Sequence, residues 1–234
     1  MSQNSKAVFV QGGNPIIRNS TFKKNSYGIE IENGATPLIE GNYFEENEIP
    51  IYVLDSYPSL SQNQFVNNSS NGILIKGNLS QNTTWKSGIT YVVDYCLGVS
   101  AGATLTLEPG VVIKMKRGAL TLYYEAYIQI LGNLVAEGTL NQPIVFTSLN
   151  DDSFPLDGGD TNNDGNLSVP SPWDWREITF FPGSSGSLKW VIIRYGGDNR
   201  TNNPFTTNNP LVIQEGANVN VDNETVKIEF SSKP

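Results

Sequence analysis

Three stretches in the first third of the chain repeat one another: Pro15-Ile16-Ile17-Arg18-Asn19-Ser20-Thr21-Phe22, Pro37-Leu38-Ile39-Glu40-Gly41-Asn42-Tyr43-Phe44 and Pro58-Ser59-Leu60-Ser61-Gln62-Asn63-Gln64-Phe65. Their phenylalanines lie 22 and 21 residues apart, and an asparagine follows each one by three positions, at Asn25, Asn47 and Asn68. Alternating pairs come next in the same phase: Ile29/Ile31, Ile51/Val53 and Ile73/Ile75. A period of about 20 to 25 residues belongs to solenoids, whose units stack because none can bury its apolar face alone. A leucine-rich repeat of that length needs a Leu-x-x-Leu-x-Leu pattern, which is missing, so the period predicts stacked β-coils.

In such a stack each short strand pairs with its equivalent about 4.8 Å away, and equivalent side chains lie over one another. Phe22, Phe44 and Phe65 are therefore expected to form a buried aromatic column. Asn25, Asn47 and Asn68 are expected to form a ladder at a tight turn, where asparagine tolerates left-handed backbone angles. The composition agrees with strands and polar turns: charged residues make up only 16%, while Asn, Gly, Ser and Thr are plentiful among many Val and Ile.

Beyond about Asn78 the pattern changes to segments such as Ala103-Thr104-Leu105-Thr106-Leu107-Glu108-Pro109-Gly110-Val111-Val112-Ile113-Lys114. Ile113 to Val135 and Leu122 to Ile144 are both 22 residues, so the same solenoid is expected to continue with different turns. Between Phe146 and Trp173 runs one long acidic stretch, and a loop of that length is usually functional, metal-bound or disordered. The two ends also resemble each other, Val8-Phe9-Val10-Gln11 with Leu211-Val212-Ile213-Gln214 and Asn19-Ser20-Thr21 with Asn223-Glu224-Thr225, which suggests one module of a tandem array.

Several functions are excluded or disfavoured by composition. There is no histidine, so no Ser-His-Asp or Cys-His nucleophile system exists, and a net charge of −8 gives phosphates no basic groove. Nucleic acid is a poor partner. Cys96 is the one cysteine, which rules out an intrachain disulfide, and its apolar setting reads as core. No run of about 18 apolar residues is present and no apolar segment follows Met1, so the chain as given is expected to be soluble, without membrane insertion.

Asp160-x-Asn162-x-Asp164-Gly165 matches the first half of an EF-hand calcium loop, where hard oxygen ligands alternate and glycine allows the sharp turn. The position of the bidentate glutamate is instead Ser171. Calcium is therefore expected at Asp160, Asn162, Asp164 and Asn166, with Asp151, Asp152 or Asp157 completing the shell; a plain solvated acidic turn is the alternative. Lyase chemistry would add a base such as Lys114, Lys116 or Arg117 beside that ion. Tyr27, Tyr43, Tyr52, Tyr57 and Trp85 read first as core or turn fillers and second as platforms for sugar rings. Trp175 and Trp190 read as core.

The segments from Gly102 to Lys114, Gly132 to Thr139 and Pro143 to Ser148, with the Asp-rich loop before Asp174-Trp175, resemble right-handed parallel β-helix repeat proteins of the pectate-lyase-like superfamily. The likeness is strongest to modules of large bacterial surface or secreted proteins. The fold class expected is thus all-β, a right-handed parallel β-helix (β-solenoid) with coils of about 21–22 residues. It forms a single module over 1–234, with regular coils at 1–78, altered turns at 79–150, the acidic insertion at 151–173 and terminal coils at 174–234. About nine or ten coils are expected.

That resemblance implies an extracellular or cell-surface location; the role expected is a non-catalytic structural or adhesin-like module, with calcium stiffening the acidic loop. The expected partner is a neighbouring module of a longer chain, or a second copy stacking head to tail. The alternative is a polysaccharide-active enzyme of the calcium-dependent lyase type, or a carbohydrate-binding β-helix, because the superfamily supports both.

Overall fold

Side chains that alternate apolar and polar at a fixed period can pair only with their own equivalents, and this the structure shows. The computed structural model describes residues 5–116, 125–153, 159–165, 167–197 and 209–229. Among them all regular structure is strand, and every strand-to-strand ladder is parallel.

The first coil contains β1 (Lys6–Gln11), β2 (Ile16–Arg18) and β3 (Thr21–Lys23). The second repeats it with β4 (Tyr27–Glu32), β5 (Leu38–Glu40) and β6 (Tyr43–Glu45), and the third with β7 (Ile49–Leu54), β8 (Ser59–Ser61) and β9 (Gln64–Val66). Equivalent strands pair into one long sheet and two three-stranded sheets, giving a three-sided cross-section. Phe22, Phe44 and Phe65 are in register, with ring centroids 5.0 and 5.4 Å apart. Phe22 and Phe44 are buried, but Phe65 is only partly so, because the third sheet ends at β9 and no further rung of it covers the ring.

The asparagine ladder forms as expected. Asn25 donates from both its backbone N and Nδ2 to Asn47 Oδ1, and Asn47 does the same to Asn68 Oδ1. Asn71 accepts the corresponding pair of bonds from Asn68. A second ladder runs at the other corner of the coil, from Ser20 through Asn42 to Asn63. Its members stand 22 and 21 residues apart within the aligned segments, which is the signal that identifies them.

The next two coils have two sheets instead of three. The fourth holds β10 (Ile73–Leu79) and β11 (Thr83–Trp85), and the fifth β12 (Thr90–Val99) and β13 (Thr104–Leu107). Trp85 is buried, the first of its two expected roles, and stacks on Tyr91 at 4.4 Å and 5°. The long strand grows from six residues to ten as the third side disappears.

From the sixth coil on, that long strand is cut in two. Residues 90–93 of β12 pair with β14 (Val112–Met115), whereas residues 96–99 pair with β15 (Tyr127–Ile130). The same split recurs between β17 (Ile144–Ser148) and β18 (Ile178–Phe180), and between β20 (Val191–Arg194) and β21 (Leu211–Ile213). The described chain departs from the long sheet at one line, after Met115, Ser148 and Arg194, where β12 itself makes a bulge through Tyr95 with φ 80°. The coils close through β16 (Asn133–Glu137), β19 (Ser185–Lys189) and β22 (Asn218–Val221), and β23 (Lys227–Glu229) begins another rung. The main path of the long sheet thus has nine rungs among the described residues.

This corrects the expected spacing. Ile113 pairs with Phe146, 33 residues on, and Val135 belongs to a different sheet, opposite Thr106. The 22-residue spacing there is coincidental, since inserted loops lengthen the coil without moving its rungs. The end-to-end resemblance also holds only in part: Val8 to Gln11 and Leu211 to Ile213 both sit on the long sheet, but Asn19-Ser20 leads into β3 and Asn223-Glu224 into β23, which are different sides of the coil.

Inside, Val8, Ile29, Ile51, Ile73, Tyr91, Ile113, Phe146, Ile193 and Ile228 form one continuous column. Trp175 is fully buried as expected, whereas Trp190 lies part-exposed at a turn with φ 50°. Cys96 is not core: it lies half-buried next to the core residue Leu97 and hydrogen-bonds Tyr127, and burial pushes its thiol up.

Candidate functional site

The outer face of the long sheet is where the acidic insertion lies. Lys114 alternates with Ile113 and Met115, which point into the core, so its side chain stands on the outside of β14 in register with Val92 and Thr147. A lysine there is ordinarily solvated, yet Lys114 is fully buried because the loop covers it. Its Nζ donates to the carbonyls of Asp151 and Gly159, at 2.9 and 2.5 Å, so it ties together the two described stems of the insertion.

From Ser148 the loop runs back along the helix axis. Asp151 anchors it on the seventh rung: its Oδ2 accepts from Thr147 Oγ1 at 2.6 Å and faces Arg194 Nη1 at 3.4 Å, and its Oδ1 accepts from Ser153 Oγ. At the far end the carbonyl of Thr161 accepts from the backbone N of Asn71, just ahead of β10 on the fourth rung. A Cβ at Gly72 would meet Thr90 O at 2.9 Å and the Thr161 methyl at 3.3 Å, so only glycine lets the loop lie this flat. Three rung spacings of about 4.8 Å make the strap about 14 Å long.

Its tip is organised by the residues of the EF-hand-like motif. Asp160 accepts from the backbone N of Asp164 at 2.9 Å and of Gly165 at 2.8 Å, and Asp164 accepts from those of Leu167 and Ser168. Asn163 and Gly165 take left-handed φ values of 55° and 67°, which the turn requires. Asp152, Asp160 and Asp164 come together, with one carboxylate oxygen from each within 4.8 Å of the others. Two oxygens sharing a calcium ion at about 2.4 Å are separated by at most about 4.8 Å, so the three are spaced for a common ion.

Both carboxylate oxygens of Asp152 are shut off from solvent with no hydrogen-bond partner, as are Asn162 Oδ1 and Thr161 Oγ1. Burial, with Asp160, Asp164 and Asp151 adding to it and Lys114 opposing, pushes the Asp152 carboxyl above its ordinary value. A carboxylate shielded from water without a donor is disfavoured in its charged form unless a cation meets it.

The sequence-predicted ligands thus divide. Asp152, Asp160 and Asp164 converge, whereas the Asp151 carboxylate is taken up by Thr147, Ser153 and Arg194 and serves as an anchor. Asn162 turns Nδ2, not Oδ1, toward Asp164 Oδ2 at 2.8 Å, with its other contact at Ser168 Oγ; a half-turn of the amide exchanges donor for acceptor. Asn166 and Asp157 lie outside the described residues.

Of the candidate lyase bases, Lys114 is enclosed beneath the loop, Lys116 pairs with Asp94 at 3.1 Å and Arg117 lies outside the described residues. Among the tyrosines, Tyr27 and Tyr52 meet edge to face at 5.9 Å on the outer surface and Tyr57 bonds Ser80. No helix of the described residues is long and apolar enough to cross a membrane.

Searches of curated proteins and of solved structures returned no match to this chain. The family model described as "Right handed beta helix region" matches residues 2–147, more than half of the length. With parallel rungs stacked along the whole described length, the chain belongs to the right-handed β-helix family.

Proposed function

We propose that this chain is a non-catalytic structural module of an extracellular or cell-surface protein, in which one calcium ion fixes the acidic loop as a strap across coils four to seven. The carrying observation is the Asp152 carboxylate, enclosed without a donor and beside Asp160 and Asp164 at ion-sharing distance. Extracellular calcium modules work at about 10⁻⁴ to 10⁻³ M, a range that a partly preformed three-carboxylate loop suits. The enclosure of Lys114 and the pairing of Lys116 argue against a lyase, because neither offers a free amine to a substrate proton.

The test is isothermal titration with calcium, followed by melting in calcium and in chelator. Binding should raise stability by mass action, by about 2.7 kcal/mol at 100 times Kd. No heat of binding and identical melting would overturn the reading. Release of unsaturated uronate from acidic glycans, followed by ultraviolet absorbance, would favour the lyase.

Further coils are proposed to stack on the module, from a neighbouring unit or a second copy. Val8 and Ile17 on the first coil face the core but are only partly buried, and Ile213 and Ile228 on the last described rungs are exposed, all four on edge strands. The first coil carries Lys6, Arg18, Lys23 and Lys24 and no acid, and the last rungs carry Glu215, Asp222, Glu224 and Glu229 against Lys227, so the two edges are opposite in net charge.

A further inference from the structure

The acidic loop contains its own cation. Three carboxylates, Asp152, Asp160 and Asp164, meet at the tip, while Asp151 is paired separately with Arg194. Lys114 Nζ bonds the carbonyls of Asp151 and Gly159, the residues immediately before Asp152 and Asp160, and so brings a fixed positive charge beneath the cluster. Its burial removes the water that would otherwise screen that charge.

We propose that Lys114 is the residue that sets the ion preference of this site: its ammonium leaves the three-carboxylate loop two charges short of neutral, which one divalent ion satisfies. The inference rests on the calcium reading above. Lys114 touches no bound ion and acts as a positioning and charge-setting residue. Three carboxylates without it would carry −3 and favour a trivalent ion over a divalent one, because each added ionic charge interacts with the net charge of the site.

The measurement is the ratio of terbium to calcium affinity, by competitive isothermal titration of the full chain. Lys114→Gln removes the charge while its side-chain amide keeps two N–H donors for the two carbonyls. The ratio should rise at least about tenfold, equivalent to about 1.4 kcal/mol. Adding Asp152→Asn to Lys114→Gln restores the net −2, and the ratio should return to the wild-type value.

If Lys114→Gln alone does not fold, the comparison is made between Asp152→Asn and the double variant, where the second substitution should again raise the ratio about tenfold. A ratio unchanged by Lys114→Gln in either background overturns the proposal while leaving the calcium site standing. Absence of calcium binding by the wild type overturns the site itself.

Discussion

Deleting the side chain of Asn47 measures how much a ladder rung contributes to coil stacking. The residue is buried and all four of its amide hydrogen-bonding positions are filled: Oδ1 accepts from Asn25 N and Nδ2, and Nδ2 donates to Phe22 O at 2.9 Å and Asn68 Oδ1 at 3.0 Å. At about 1 kcal/mol net for each bond, Asn47→Ala should cost about 4 kcal/mol. Asn42 makes one side-chain bond fewer, accepting from Ser20 N and donating to Ile17 O and Asn63 Oδ1, so Asn42→Ala should cost about 3 kcal/mol. Guanidinium unfolding followed by far-ultraviolet circular dichroism reads both, provided the m-value is unchanged. A loss below about 1 kcal/mol for Asn47→Ala, or a reversed order of the pair, would refute the reasoning that these amides carry the turn.

Three further perturbations follow from the packing and the charges. Phe44→Ala removes a fully buried ring stacked on both sides and should cost about 3 to 5 kcal/mol by the same unfolding assay. Gly28→Ala would place a methyl 2.5 Å from Pro50 O and 2.9 Å from Phe44 Cδ1, and should cost about 1 to 3 kcal/mol as overpacking does. The Asp152 carboxyl is held above its unfolded value, so its charge opposes folding at neutral pH and this opposition fades as pH falls through the carboxylate range. In chelator at neutral pH Asp152→Asn should therefore melt higher than wild type, the difference vanishing in acid and reversing in saturating calcium.

The first three coils are legible in the sequence because they carry no insertions, so Phe22, Phe44 and Phe65 recur at the true coil length. Past the fifth coil the strands still stack, but Ile113 and Phe146 are separated by a loop whose length bears no relation to the rung, and period counting finds false partners. The tip of the calcium loop could be read from Asp160, Asn162 and Asp164, whose spacing is local. The convergence of Asp152 could not, because it depends on chain folding back over Lys114, and nothing about an isolated lysine in Val-Ile-Lys-Met announces that it will be covered. Asp151 and Asp152 are adjacent and chemically identical, and only Thr147 and Arg194 decide which one becomes the anchor.

The strap connects an ion at its tip to the backbone of the fourth coil through the bond from Asn71 N to Thr161 O. Amide hydrogen exchange at Asn71, compared in calcium and in chelator, tests that connection directly. Calcium should slow exchange at Asn71 by one to two orders of magnitude, about 1.4 to 2.7 kcal/mol of added protection, while Tyr43, bonded to Ser20 O far from the loop, stays unchanged. Equal exchange at Asn71 in both conditions, from a protein shown to bind calcium, would contradict the strap.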